Sequence, residues 1–136
     1  MYTLFTYGSL MCNDIMSTVA GCQSDSMAAT LKDFQRSTIH GEKYPGIFHQ
    51  ADGTVEGVLY LQLPEEAILR LDQFEGEQYS REDVQVITPQ GPCRTMAYII
   101  KPQYRHLLTG EPWSFEQFLV TGKAEFIKYY QGFKKL

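Results

Sequence analysis

Between Met1 and Lys101 the chain keeps returning to short β-branched and aromatic runs cut apart by turn clusters. MYTLFTY stops at Gly8, and further runs cover Ala28 to Phe34, Thr54 to Leu63 (TVEGVLYLQL), Glu82 to Thr88 and Thr95 to Lys101. YPG at Tyr44, ADG at Ala51 and TPQGP at Thr88 separate them. Such a chain has to build its core mainly from a sheet with short, hairpin-like connections. Helices are few. PEEAILRLDQFEG has proline at its start, acids in its first turn, apolar Ile68, Leu71 and Phe74, and glycine at its end, which predicts a helix from Pro64 through Phe74. A second helix is predicted from Ser114 to about Tyr130, where Phe115, Phe118, Leu119, Phe126, Ile127 and Tyr130 recur at helical spacing, with Gly122 as a point of breakage. Ser9 or Asn13 is placed to cap a short helix through about Val19.

The 136 residues, 43% of them hydrophobic, suffice for one domain spanning 1–136 and are too few for two ordinary ones. Strands with two or three helices imply an α+β domain whose sheet curls toward a barrel, and barrel mouths are common places for ligand pockets. The net charge of -4 and the scattered basic residues, apart from Lys134 and Lys135, give no footprint for nucleic acid or an anionic membrane. A small-molecule partner is the expectation, and nothing in the sequence sets an oligomeric state. Cys12, Cys22 and Cys93 are odd in number and lack C-x-x-C spacing, and no secretory leader stands at Met1, which points to a reduced, cytoplasmic setting. No apolar run approaches the roughly 20 residues of a membrane span. His40, His49 and His106 are separated from one another and from the cysteines, so no metal site is expected.

Two stretches carry candidate chemistry. In Tyr7-Gly8-Ser9-Leu10 a strand ends in glycine and enters a helix, which leaves backbone N–H groups pointing the same way and able to bind a carboxylate, phosphate or oxyanion. An ordinary strand-to-helix turn is the plainer alternative. In LDQFEGEQYSR, acids crowd the end of the predicted helix, where the negative end of its dipole disfavours their charge. Glu75 at that end, beside Phe74, Asp72 and Glu77, is expected to hold its proton to unusually high pH, as a proton shuttle requires. A solvated acid cluster is the alternative. Arg81 is better placed on Asp72, Glu77 or backbone carbonyls than on Glu75. Tyr44, Tyr79 and Tyr98 are candidates to line a cavity, though packed tyrosines are common in cores. Cys12 lies near a helix start, but no histidine is identifiable as its base, so a buried inert thiol competes with a nucleophile there.

Together FTYGSL at Phe5, YPGI at Tyr44, VEGVLYLQL at Val55, LDQFEGEQYSR at Leu71 and MAYII at Met96 resemble the gamma-glutamylcyclotransferase-like family, in particular its gamma-glutamylamine cyclotransferase branch. The resemblance covers roughly the first hundred residues and fades after Lys101, where GEPW at Gly110 is not diagnostic. It implies a small mixed β-barrel with flanking helices and a cofactor-free reaction, in which a gamma-glutamyl compound cyclises to 5-oxoproline and releases an amine or amino acid. By the same resemblance Tyr7, Gly8, Ser9 and Leu10 hold the glutamyl group and Glu75 is the acid/base. Met11-Cys12-Asn13 and Gly46 depart from the family pattern and bear on substrate identity. Two other classes compete: a non-catalytic module binding a small carboxylate through the same loop, and a thiol-dependent acyl transferase using Cys12.

Overall fold

The computed structural model describes residues 1–129. Strands β1 (Tyr2–Thr6), β2 (Ser26–Thr38), β3 (Pro45–Leu63), β4 (Tyr79–Thr88) and β5 (Gly91–Ile100) form one sheet in the order β1-β3-β2-β4-β5. Each ladder is antiparallel, so the two edge strands, β1 and β5, run in the same direction. The sheet curls until these edges meet through side chains: Thr3 Oγ1 donates to Thr95 Oγ1 at 2.6 Å, and the Tyr7 hydroxyl donates to the Tyr98 carbonyl at 2.6 Å. The α+β architecture is the expected one, with the barrel left open at a seam that a parallel ladder would have closed.

Apart from β1, which is shorter than the Met1 to Tyr7 run, the strands are longer than their β-rich cores in the sequence. ADG does not end β3. Pairing passes from Lys32↔Thr54 to Phe34↔His49, and the extra residues bulge outward. Asp33 and Asp52 adopt left-handed backbone angles (φ 66° and 65°), a conformation that aspartate tolerates better than most residues, and the Asp52 N–H donates to Asp33 Oδ1 at 3.1 Å. TPQGP does act as a hairpin, closing on the pair Thr88↔Gly91. Pro92 follows at the start of β5, an edge strand, where a missing donor is tolerated.

Alternating side chains divide the core between the two faces of the sheet. Leu4, Tyr60 and Ile100 point to the helices, whereas their neighbours Phe5, Leu59 and Ile99 point to the opposite face with Leu31, Phe34, Ile47, Val55 and Val86. The helical layer is α1 (Asn13–Ala20) and α2 (Glu65–Glu75), which bury Ile15, Met16, Val19, Ile68 and Leu71. Neither Ser9 nor Asn13 caps α1: Ser9–Met11 is a separate 3-10 turn, and Cys12 occupies the cap position without a side-chain bond. The predicted second helix is interrupted. It consists of α3 (Phe115–Gln117), a π-helical stretch at Phe118–Gly122, and α4 (Lys123–Tyr129), with Ser114 Oγ accepting from the Gln117 N–H at 3.2 Å. Thr121 bonds back to the Gln117 carbonyl at 2.8 Å, a contact that bends helices, and Gly122 ends the widened turn. Tyr130, the expected helix end, lies outside the described residues. Among the described residues no helix is long and apolar enough to cross a membrane.

Candidate active site

The end of α2 meets the loop after β1 across a cavity of about 80 Å³. Tyr7, Gly8, Ser9 and Leu10 form one wall. Glu75 and Phe74 come from the last turn of α2, Tyr44 and Pro45 from the entry to β3, Tyr79 and Tyr98 from β4 and β5, and Phe126 from α4. Thus Glu75, the Tyr7 to Leu10 loop and the candidate tyrosines Tyr44, Tyr79 and Tyr98 all border the same cavity. Phe5, Thr6, Pro45, Phe74 and Phe126 complete the lining. Phe126 belongs to the aromatic stripe read as core. It is buried as well as cavity-facing, with Tyr44 and Phe74 edge-on to its ring at 6.4 and 6.1 Å.

Local backbone rules put these groups together. Gly76 takes φ 78° and its N–H caps the Asp72 carbonyl at 3.1 Å, which stops α2 immediately after Glu75. Gly8 has negative φ, so its role is close approach: a Cβ there would stand 2.6 Å from Pro45 Cδ. The 3-10 turn that follows is closed by Met11 N–H to Gly8 O at 2.9 Å and Cys12 N–H to Ser9 O at 3.1 Å. The amides of Ser9 and Leu10 precede the first of these bonds and have no partner within the turn. Tyr60 fixes the loop from beneath by donating to the Leu10 carbonyl at 2.8 Å.

Glu75 is the perturbed group. Part of it opens into the cavity, but protein surrounds the carboxyl deeply enough that burial, with the nearby Asp72 charge second, raises its pKa from 4.5 to about 8. Among the described residues it has no hydrogen-bond or ion-pair partner. Asp72 instead takes Arg81, through Nε at 2.9 Å and Nη2 at 3.2 Å, and accepts the Tyr98 hydroxyl at 2.7 Å. Arg81 is thereby kept off Glu75. Glu77 is exposed and is not among the causes of the shift, contrary to the weight given to it in the sequence. Burial and then Glu75 hold Tyr7 well above its ordinary value, and burial followed by the Asp72 hydrogen bond does the same for Tyr98. Both phenols remain neutral donors. Tyr79 donates to the Pro45 carbonyl at 2.8 Å, which ties the floor of the cavity to β4.

Other candidates lie elsewhere. Cys12 is buried under the 3-10 turn and outside the lining, and burial pushes its thiol pKa up, the reverse of what a nucleophile needs. Gly46 faces Leu108 and Ile100, not the cavity. His49 stacks on Phe34 with centroids 4.2 Å apart.

The fold recurs among solved structures. One described as a gamma-glutamyl cyclotransferase superposes with a TM-score of 0.66 at 18% identity, covering 98% of this chain and 86% of that one. A solution structure from Arabidopsis thaliana gives a TM-score of 0.73 at 26% identity, covering 95% of this chain and 87% of the other. AIG2-like protein D of Arabidopsis thaliana is 30% identical over 136 residues, 98% of this chain and 89% of that protein. The sequence model of the family described as Gamma-glutamyl cyclotransferase, AIG2-like, matches residues 4–115. The chain belongs to this family.

Proposed function

We propose that the chain is a cofactor-independent gamma-glutamyl cyclotransferase of the gamma-glutamylamine type, acting in the cytoplasm. The observation that carries this reading is the shared cavity: the high-pKa carboxyl of Glu75 and the Gly8 to Leu10 loop border one small space. The loop amides hold the α-carboxylate of the glutamyl group or the oxyanion that develops at its γ-carbonyl, where one well-placed donor is worth about 3 kcal/mol.

The substrate's α-amine stands beside a free α-carboxylate, which makes it more basic than a peptide N-terminus, and near neutral pH it is an ammonium. Glu75, raised to about 8, is a stronger base for that proton than an ordinary carboxylate and takes it with a smaller penalty. The freed amine attacks the γ-carbonyl carbon and forms the N–C bond of a five-membered ring. Collapse of the tetrahedral intermediate breaks the bond to the departing nitrogen, which takes the proton back from the Glu75 carboxylic acid. The ring nitrogen sheds its second proton, which passes to the released amine, so the products are 5-oxoproline and the amine as its ammonium ion, and Glu75 ends as a carboxylate, as it began. Because attack is intramolecular, fixing one conformer supplies much of the rate, with effective molarities that reach roughly 10⁵ M.

The test is incubation with a panel of gamma-glutamyl amines and dipeptides, read by mass for 5-oxoproline and released amine. Glu75→Gln keeps the shape and removes the base, so turnover is expected to fall by about 10² or more. Full 5-oxoproline release by that variant would refute the shuttle. Binding of the whole panel without conversion would favour the carboxylate-binding module.

A further inference from the structure

The proposed chemistry leaves unused the GEPW stretch at Gly110. Trp113 in that stretch is buried, donates its indole N–H to the Lys43 carbonyl at 2.9 Å, and packs on Phe118 with ring centroids 5.5 Å apart. The guanidinium of Arg36, from β2, lies over its ring with Cζ 5.3 Å from the centroid. No salt bridge engages Arg36 among the described residues. Its Nη1 donates to two backbone carbonyls instead, Tyr7 at 2.7 Å and Glu56 at 3.2 Å.

The Tyr7 carbonyl is one end of a peptide unit whose other end is the Gly8 N–H. In a planar trans peptide the two point in opposite directions. Tyr7 and Gly8 border the cavity and Arg36 does not, so a carbonyl drawn outward onto Arg36 turns the Gly8 N–H inward. A charged donor on the carbonyl also polarises the amide and strengthens what its N–H can donate. Arginine suits the task because its planar, weakly hydrated cation can stack on indole while its edge bonds to carbonyls.

We propose that Arg36, clamped by Trp113, is a positioning residue that fixes and polarises the Tyr7–Gly8 peptide so that the Gly8 N–H faces the glutamyl group. This rests on the role given to the loop under the proposed function. A purely structural clasp between β1, β2 and β3 would use the same two bonds, so the test must read the amide as well as stability.

The experiment follows the Gly8, Ser9 and Leu10 amide resonances of ¹⁵N-labelled parent, Arg36→Met and Arg36→Gln proteins, with and without 5-oxoproline, beside kcat and KM. In the parent, 5-oxoproline should move Gly8 together with Ser9 and Leu10. In Arg36→Met the free-protein Gly8 nitrogen should shift upfield and kcat should fall roughly tenfold or more, KM changing less. Arg36→Gln keeps a neutral donor and should fall between, which preserves the test if the methionine variant does not fold. A folded variant with parental Gly8 resonance and parental kcat would overturn the proposal. So would a parent in which Ser9 and Leu10 respond to 5-oxoproline and Gly8 does not, although the proposed activity would then stand. If none of the three amides responds and no gamma-glutamyl compound is cyclised, the proposed function itself fails and takes this inference with it.

Discussion

Replacing Glu75 by glutamine should alter how stability depends on pH. An acid whose folded pKa is raised stabilises the fold only while protonated. Below its unfolded value of 4.5 it is protonated in both states, and its contribution is fully present. As pH rises the unfolded chain releases the proton first, and stability is lost progressively until the folded group also ionises at about 8. The gap between those two values corresponds to roughly 5 kcal/mol as an upper bound, of which about 2.5 kcal/mol falls between about pH 5 and pH 7. Glu75 is only half-buried at its cavity face, and solvent screening there would leave about 1–2.5 kcal/mol. Glutamine imitates the protonated acid at every pH and removes the slope. Thermal unfolding of parent and variant across this interval reads the effect directly, at roughly 4 °C per kcal/mol for a chain of this size. The variant's melting temperature relative to the parent should rise by about 4–10 °C over that interval. A difference that stays constant with pH would mean that Glu75 titrates as an ordinary solvated carboxylate, and the proposed shuttle would collapse.

Under the proposed shuttle the productive pair holds one proton between Glu75 and the substrate amine, so kcat/KM should rise with pH until Glu75 ionises at about 8 and fall again where the free substrate amine loses its proton. Asp72→Asn removes the negative charge that helps to raise Glu75, so the acid limb of that profile should move to lower pH; an unmoved limb would uncouple the two carboxyls. Gly8→Ala would drive a methyl into Pro45 and should cost about 1–3 kcal/mol in urea unfolding, together with activity. Parental stability in that variant would show that Pro45 yields without resistance.

What was legible in the sequence were features written in neighbouring residues. The proline, acids, apolar spacing and terminal glycine of PEEAILRLDQFEG marked α2 nearly to its last residue, because caps and periodicity are local. The same stretch placed Glu75 at the helix end, and the glycine after β1 marked the facing loop. Long-range choices were hidden. ADG reads as a terminator, yet ladder pairing on both sides carries β3 through it. Ser9 and Asn13 have the chemistry of caps, but the 3-10 turn shifts the helix start so that Cys12 takes that place. The dominance of burial over the neighbouring Asp72 charge in raising Glu75 depends on what packs around it, which no local pattern records. Arg36 had no signal at all, since its partners Tyr7, Glu56 and Trp113 come from distant parts of the chain.

The open seam between β1 and β5 separates two properties that a closed barrel would join. Elsewhere the sheet is held by backbone ladders, whereas at the seam the Thr3–Thr95 and Tyr7–Tyr98 bonds link the edges. Each such bond is worth only about 0.5–1.5 kcal/mol. Tyr7 and Tyr98 also border the cavity, so any displacement of one edge against the other would change the size of that space without breaking a ladder. In the proposed reaction, accommodating a bulkier departing amine would therefore involve a few side chains at the join and leave the backbone ladders alone.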